Sequence, residues 1–315
     1  MKQKIKNYIR VRLGFFKNII PQTMRYFSAY FESVTYDKVM IRDVLLLSHA
    51  LEKGLIYSNP KSSWGIIKAN DLIFKITYLL NNGFDPKAYE IQEACSVLKA
   101  YSESKGKNGR DIMIKLNSLM TAYSIDLIPG GSLSISKQHL FFHNNSSDFI
   151  TSRRSIRFFD DGIVPKDIIL RAISIANTTP SACNKQPCNV YCPFNQQSID
   201  AIGKYFSKAY VFERTPQILI VTSKLSFFSS DEYLQPLVNG GMYATTLCLA
   251  FHSLGIGSCP LEMVAFKKPE KEIRRICNIA VDEIIVTAIT FGYVKETNQC
   301  TCGARRQNYQ VLKEF

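Results

Sequence analysis

The sequence predicts a chain in two parts: an all-helical region over residues 1–145 and a mixed helix-and-strand region over 146–315. Three observations predict it. Apolar residues recur at helical spacing in each segment up to about 125. Pro129-Gly130-Gly131 then breaks the chain, and a polar connector runs on to Asn144-Asn145-Ser146-Ser147. Beyond it, short apolar runs alternate with helical ones, as in a sheet covered by helices.

The elements follow in order. In residues 1–31, Ile5, Ile9, Leu13, Phe16, Ile20, Met24, Phe27 and Phe31 make one apolar helical face, and seven basic residues precede the first acid, Glu32. The sharper reading is a helix lying on a membrane surface; the plainer and preferred one is a helix packed on its own domain with a solvated basic face. Residues 38–55 form a helix with Val39, Met40, Val44, Leu45, Leu47, Leu51 and Leu55 as its apolar set and Gly54 near its stop. Helices are expected over 66–82, 86–104 and 110–125, the second started by Asp85-Pro86. In the second part, Pro165 opens a helix that ends near Ala176. Val190–Cys192, Ile218–Thr222 and Ile256–Cys259 read as short strands, and 240–254 as an apolar helix closed by Gly255. Ile284–Phe291 is nearly all apolar, as in the middle of a sheet covered on both faces.

The net charge of +13 divides as +8 over 1–150 and +5 over 151–315. A basic balance favours anionic partners such as phosphorylated ligands or an anionic membrane. No zinc finger, RNP-like motif or glycine-rich basic tract points to nucleic acid. Nine irregularly spaced cysteines suit free thiols in a reducing cytoplasm. Cys183, Cys188 and Cys192, and the pair Cys300 and Cys302, read as incidental thiols, and no metal site is expected. The N-terminus has no signal-peptide pattern, and no apolar run reaches the length of about 18–20 residues that spans a bilayer.

Three segments carry chemistry. Ser152-Arg153-Arg154-Ser155-Ile156-Arg157-Phe158-Phe159 offers three guanidinium forks and two hydroxyls to a phosphate. Pro180-Ser181-Ala182-Cys183-Asn184-Lys185-Gln186-Pro187 is a stiff loop rich in short hydrogen-bonding side chains. Gly255-Ile256-Gly257-Ser258-Cys259-Pro260-Leu261-Glu262 leads from a helix through a strand to a loop whose backbone N–H groups could face a ligand.

In order and separation these segments resemble the nitroreductase family of FMN proteins. The family's R-R-S-x-R-x-F element is met by Arg153, Arg154, Ser155, Arg157 and Phe159. Its P-S-A-x-N-x-Q-P element is met by Pro180, Ser181, Ala182, Asn184, Gln186 and Pro187. Gly255–Glu262 is similar to its glycine-pair element, Gly292-Tyr293 to the end of its late strand, and Arg305-Arg306 to its basic pair near the C-terminus. The resemblance covers nearly all of 151–315. It implies an α+β fold with a central, mostly antiparallel sheet flanked by helices, here preceded by the all-helical domain. It also implies a homodimer with FMN at the subunit interface.

Residue by residue, the resemblance assigns the FMN phosphate to Arg153 and one of Arg305 or Arg306, with Arg154 and Ser155 close by. Arg157 would face the N1/O2 side of the flavin ring, where reduction builds negative charge. Pro180, Ser181, Asn184 and Gln186 would approach the flavin of the other subunit. Pro260, Glu262 and Met263 would lie by the ring, a backbone N–H of Glu262 or Met263 facing N5. Two departures stand out: Cys188 replaces the aromatic residue common after Gln-Pro, and 224–238 matches no pattern that would name a substrate.

In the first part, His49-Ala50-Leu51-Glu52-Lys53-Gly54-Leu55, with Asn59-Pro60 and Trp64-Gly65, is similar to a segment of nitroreductase-like proteins encoded with bacterial surface-polysaccharide genes. It could place His49, Glu52 or Lys53 over a flavin; the simpler reading is a helix end with a polar face.

The expected function is therefore FMN-dependent oxidoreduction. NAD(P)H is the donor, and the acceptor is an electrophilic small molecule, nitro- or quinone-like or a polysaccharide-pathway intermediate. Flavin chemistry requires no catalytic side-chain triad, and none is found. The alternatives are a flavin-dependent dehydrogenase or flavin-consuming enzyme of the same fold, and a non-catalytic scaffold of a membrane-associated polysaccharide complex. A cytoplasmic protein is expected, with peripheral membrane contact through 1–31.

Overall fold

The computed structural model describes Phe16, Ile20 and residues 36–57, 64–141, 145–205, 217–228, 232–262 and 267–314. The amphipathic face expected over 1–31 lies outside these, apart from Phe16 and Ile20, which are helical and exposed. Asn59-Pro60 and Met263 also lie outside. The chain divides into two compact units: Arg25–Ser134 with Gln299–Phe315, and Met1–Met24 with Ile135–Asn298.

Among the described residues, the core of the first unit is built on α1 (Tyr36–Leu55), α2 (Ile66–Asn81), α3 (Tyr89–Lys105) and α4 (Arg110–Tyr123). Each contributes an apolar stripe at helical spacing to one core: Met40, Val44 and Leu51; Leu72, Ile76 and Leu79; Ile91 and Leu98; Ile112 and Leu116. Leu45, expected in the apolar set of α1, is instead exposed, because the buried stripe runs through Val44, Ser48 and Leu51.

The His49–Leu55 element is explained by packing. A Cβ at Gly54 would lie 1.5 Å from the Trp64 ring, so only glycine admits that indole. Tyr101 donates to the Trp64 carbonyl at 2.6 Å, and Lys105 lies 4.9 Å above the indole ring. Glu52 points inward, where its Oε1 accepts from the Gly131 N–H at 3.2 Å and the Gly303 N–H at 3.4 Å. Glu93 of α3 is buried beside it, and its carboxyl is pushed up to about 7. Burial is the main cause, the Glu52 charge adds to it, and Ser48 opposes it.

Those contacts correct one expectation. The C-terminal tail was expected with the mixed region, within 146–315, yet residues 299–315 group with the helices. Besides Glu52, the Cys302 N–H donates to Gly131 O at 3.0 Å and Tyr89 donates to Ala304 O at 3.1 Å. The connector after Gly131 is also more structured than expected. It holds β1 (Ser132–Ser136), α5 (Lys137–Phe141) and α6 (Ser146–Ser152), and β1 pairs with β6 (Thr297–Thr301) in a two-stranded sheet. The first part is thus not wholly helical.

The second unit is an α+β layer structure. Its remaining elements are α7 (Lys166–Ala176), β2 (Cys188–Tyr191), α8 (Gln196–Gly203), β3 (Gln217–Lys224), α9 (Gln235–Ser253), β4 (Ile256–Leu261), α10 (Lys267–Cys277) and β5 (Glu283–Tyr293). The sheet order is β2-β3-β5-β4, and every neighbouring pair is antiparallel. Successive residues of β3 alternate between two cores. Leu219 and Val221 face the core with Leu247 and Phe251 of α9 and Ile169 of α7. Ile218 and Ile220 face the core with Ile202 of α8 and Ile273 of α10. Burial on both faces is why β5 reads as a nearly all-apolar run. Helices α8 and α10 were not expected, because both are rich in polar residues.

Candidate functional site

The first chemistry-bearing segment begins at the end of α6. Asn145 caps that helix, its side chain accepting from Asp148 N–H at 2.9 Å. At Arg153 the backbone leaves the helix, with φ −54° and ψ 131°. The chain then runs extended beside the sheet. Ser155 bridges Ser258 of β4 in parallel, Ile156 N–H donates to Ser258 O at 3.1 Å, and Phe159 bridges Val294. Two motif glycines permit this approach. A Cβ at Gly257 would lie 2.6 Å from Val294 Cγ2 and 3.1 Å from the Ile156 Cβ; one at Gly292 would lie 2.9 Å from the Phe159 ring. The first and third segments, separate in sequence, are thereby brought together.

The electrostatics are one-sided. Arg157 is 7% exposed, and its Nη1 donates to Ser155 O at 3.2 Å. Arg154 Nη1 donates to Thr151 O at 2.6 Å and to Arg153 O at 3.0 Å. Arg153 Nη1, Arg154 Nε and Arg157 Nε are all buried without an acceptor among the described residues. Arg157 is buried and Arg153 and Arg154 are half-buried, and a buried donor left without an acceptor is costly, so this donor set suits an anion supplied from outside the protein. Glu283 makes the contrast: it is equally buried, yet it accepts from Asn189 at 2.7 Å, Tyr191 at 3.0 Å and Thr222.

The second segment is a strained loop. Cys183, Asn184 and Gln186 have φ of 52°, 53° and 47°, a left-handed backbone that non-glycine residues adopt at a cost. The loop is tied down from α9 and its approach: Ala182 N–H donates to the buried Asn239 Oδ1 at 3.0 Å, and Lys185 pairs with Glu232 at 2.8 Å over the Phe228 ring. Pro180, Asn184 and Gln186 stay exposed, and Ser181 is half-buried. Pro180, Ser181, Gln186, Cys188, Asn239 and Tyr243 help line a cavity of about 200 Å³. A larger one, about 370 Å³, has Arg157 in its wall, but with Asp160, Asp161 and Lys295 its lining is of mixed charge and suits an anion less well.

Pro260 and Glu262 are exposed at the end of β4. Arg305 and Arg306 are exposed on the tail, in the helical unit; Arg305 Nη1 donates to Gly303 O at 2.5 Å. Among the described residues no group of three His, Cys, Asp or Glu side chains could hold a metal ion. Burial pushes Cys188 up to about 11 and Cys192 to about 12, so both stay protonated near neutral pH. Sequence reasoning missed Asn239, which holds the strained loop, and His252; Ser152, read there as a hydroxyl for a phosphate, is instead buried with its Oγ 2.9 Å from His252 Nε2. In sequence their trace is slight: isolated polar residues at the two ends of an apolar helix, and a serine placed just before the arginines.

The decisive comparison follows the site's own outline. Residues 150–293 match the nitroreductase family. The family model matches over 150–224 and 193–293, so this nitroreductase-like segment takes in both motif-bearing edges and the sheet between them. Two archaeal proteins named NADH dehydrogenase/NAD(P)H nitroreductase are similar to it. The one from Archaeoglobus fulgidus is 24% identical over 47% of this chain and 84% of its own. The one from Methanothermobacter thermautotrophicus is 25% identical over 47% and 76%. Among solved structures, a nitroreductase from Desulfovibrio desulfuricans in complex with FMN gives a TM-score of 0.47 at 19% identity, covering 55% of this chain and 98% of that one.

Proposed function

We propose that the unit Ile135–Asn298 binds FMN and acts as an NAD(P)H-dependent reductase of electrophilic small molecules. The observation that carries this reading is the cluster of three arginines within five residues, each with a buried nitrogen lacking an acceptor. FMN, when bound, supplies hydride exchange between a nicotinamide and an acceptor. Arg153 and Ser155 hold its phosphate through charge-assisted bonds. The fixed Arg157 cation opposes negative charge gathering on the ring edge, and because it is already buried and oriented it needs no reorganisation during turnover. The backbone N–H of Glu262, at the end of β4, would be a further donor to the ring. The names of the two archaeal relatives agree with this reading.

The 180–187 loop, with Pro180, Ser181, Asn184 and Gln186, serves a flavin bound mainly by a second copy of the chain. Support comes from α9, where Leu237, Val238 and Met242 are 44%, 52% and 40% exposed in a single copy and form an apolar face suited to a twofold partner. The test is turnover of protein supplied with FMN: NADH or NADPH oxidation should depend on both FMN and an added quinone or nitroaromatic. Oxidation no faster than that of free FMN would contradict the assignment.

A further inference from the structure

We infer that His252, acting through Ser152, is a positioning residue that fixes Arg153 for the FMN phosphate; this rests on the FMN reading above. Ser152 ends α6 and His252 lies near the end of α9, 100 residues apart, and both are buried, at 6% and 4% exposure. Ser152 Oγ lies 2.9 Å from His252 Nε2. The same hydroxyl lies 3.1 Å from Leu140 O and 2.9 Å from Phe149 O. It has one proton, which the two carbonyls, able only to accept, share, so the hydroxyl accepts from His252. That assigns the ring proton to Nε2.

The ring also packs against two phenyl rings, Phe141 at 5.2 Å and Phe149 at 5.0 Å between centroids. Arg153 is the residue after Ser152, where the chain turns from helix to extended strand. Arg153, Arg154, His252, Gly257 and Ser258 line one narrow crevice. The Arg153 charge also reaches Cys248, one turn before His252 on α9. Burial pushes that thiol up to about 11, while Ser258 and Arg153 pull it the other way. One rigid side chain thus pins the turn from which the phosphate-binding guanidinium projects. Preorganisation of this kind shows up as affinity for the group the guanidinium meets.

Riboflavin, which has no phosphate, separates this role from general packing. Binding of FMN and of riboflavin is titrated for wild type, His252→Leu, His252→Gln, Ser152→Ala, Arg153→Ala and the Arg153→Ala/His252→Leu double variant. His252→Leu and Ser152→Ala should lose about tenfold to hundredfold in FMN affinity, with riboflavin affinity changed by less than about twofold. His252→Gln keeps an N–H donor and should recover most of the loss. The double variant should be no worse than Arg153→Ala alone. Parallel losses for both flavins, or additive losses in the double variant, would overturn the positioning role. A wild type that binds neither flavin would remove the FMN reading itself.

Discussion

At the scale of single residues, the two adjacent arginines are not equivalent. Arg154 spends its terminal Nη1 on the carbonyls of Thr151 and Arg153 and leaves only Nε buried without an acceptor, whereas in Arg153 it is the terminal Nη1 that is buried without an acceptor among the described residues. Arg153→Ala should weaken FMN by roughly one to two orders of magnitude, since a charged hydrogen bond contributes about 1.5–3 kcal/mol. Arg153→Lys should restore only part, because an ammonium lacks the planar fork. Arg154→Ala should cost much less. Flavin fluorescence titrations of the apo variants decide it; a larger loss at 154 would shift the register of the whole motif.

At the scale of elements, two close approaches are testable. The passage of 153–157 along β4 depends on Gly257, whose added Cβ would meet Val294 and Ile156 at 2.6 and 3.1 Å. Gly257→Ala should destabilise the protein by about 1–3 kcal/mol in urea melts. It should also weaken FMN binding by pushing Ile156, and Arg157 with it, off the strand; unchanged stability and affinity would contradict this. In the helical unit, α1 and α3 bring Glu52 and Glu93 together. The folded pKa of Glu93, about 7, lies above its usual value of 4.5. The native state therefore binds the extra proton between these values, and stability falls as pH rises from about 4.5 to about 7. Glu93→Gln should gain little at pH 5 and up to about 3 kcal/mol over wild type at pH 8. A gain independent of pH would rule out this titration.

The same scale shows what was legible in the sequence. Strong periodicity found α1 to α4, α7, β3 and β5 within a few residues, because burial of one stripe or of both strand faces writes itself into the apolar pattern. The polar α8 and α10, the β1 strand and the tail's place beside Glu52 left no such pattern, being held by backbone bonds and by partners distant in sequence. The arginines and the 180–187 loop stood out in the sequence by their donor-rich composition, and their role at a flavin is the reading proposed above. The Ser152–His252 contact did not stand out, since 100 residues separate its halves.

At the scale of the whole molecule, the apolar face of α9 predicts a dimer. Light scattering should give twice the chain mass, and Val238→Glu with Met242→Glu should shift the population to monomer, since each charge would be buried in the interface. If the paired variant keeps the wild-type mass, α9 is not the interface. The proposal that Ile135–Asn298 binds FMN is tested most directly by the absorbance spectrum of the purified protein reconstituted with FMN and freed of excess. Flavin bands should remain with the protein, near one FMN per chain, and the flavin released on heating should be FMN. Protein that emerges colourless from the same treatment would contradict the account.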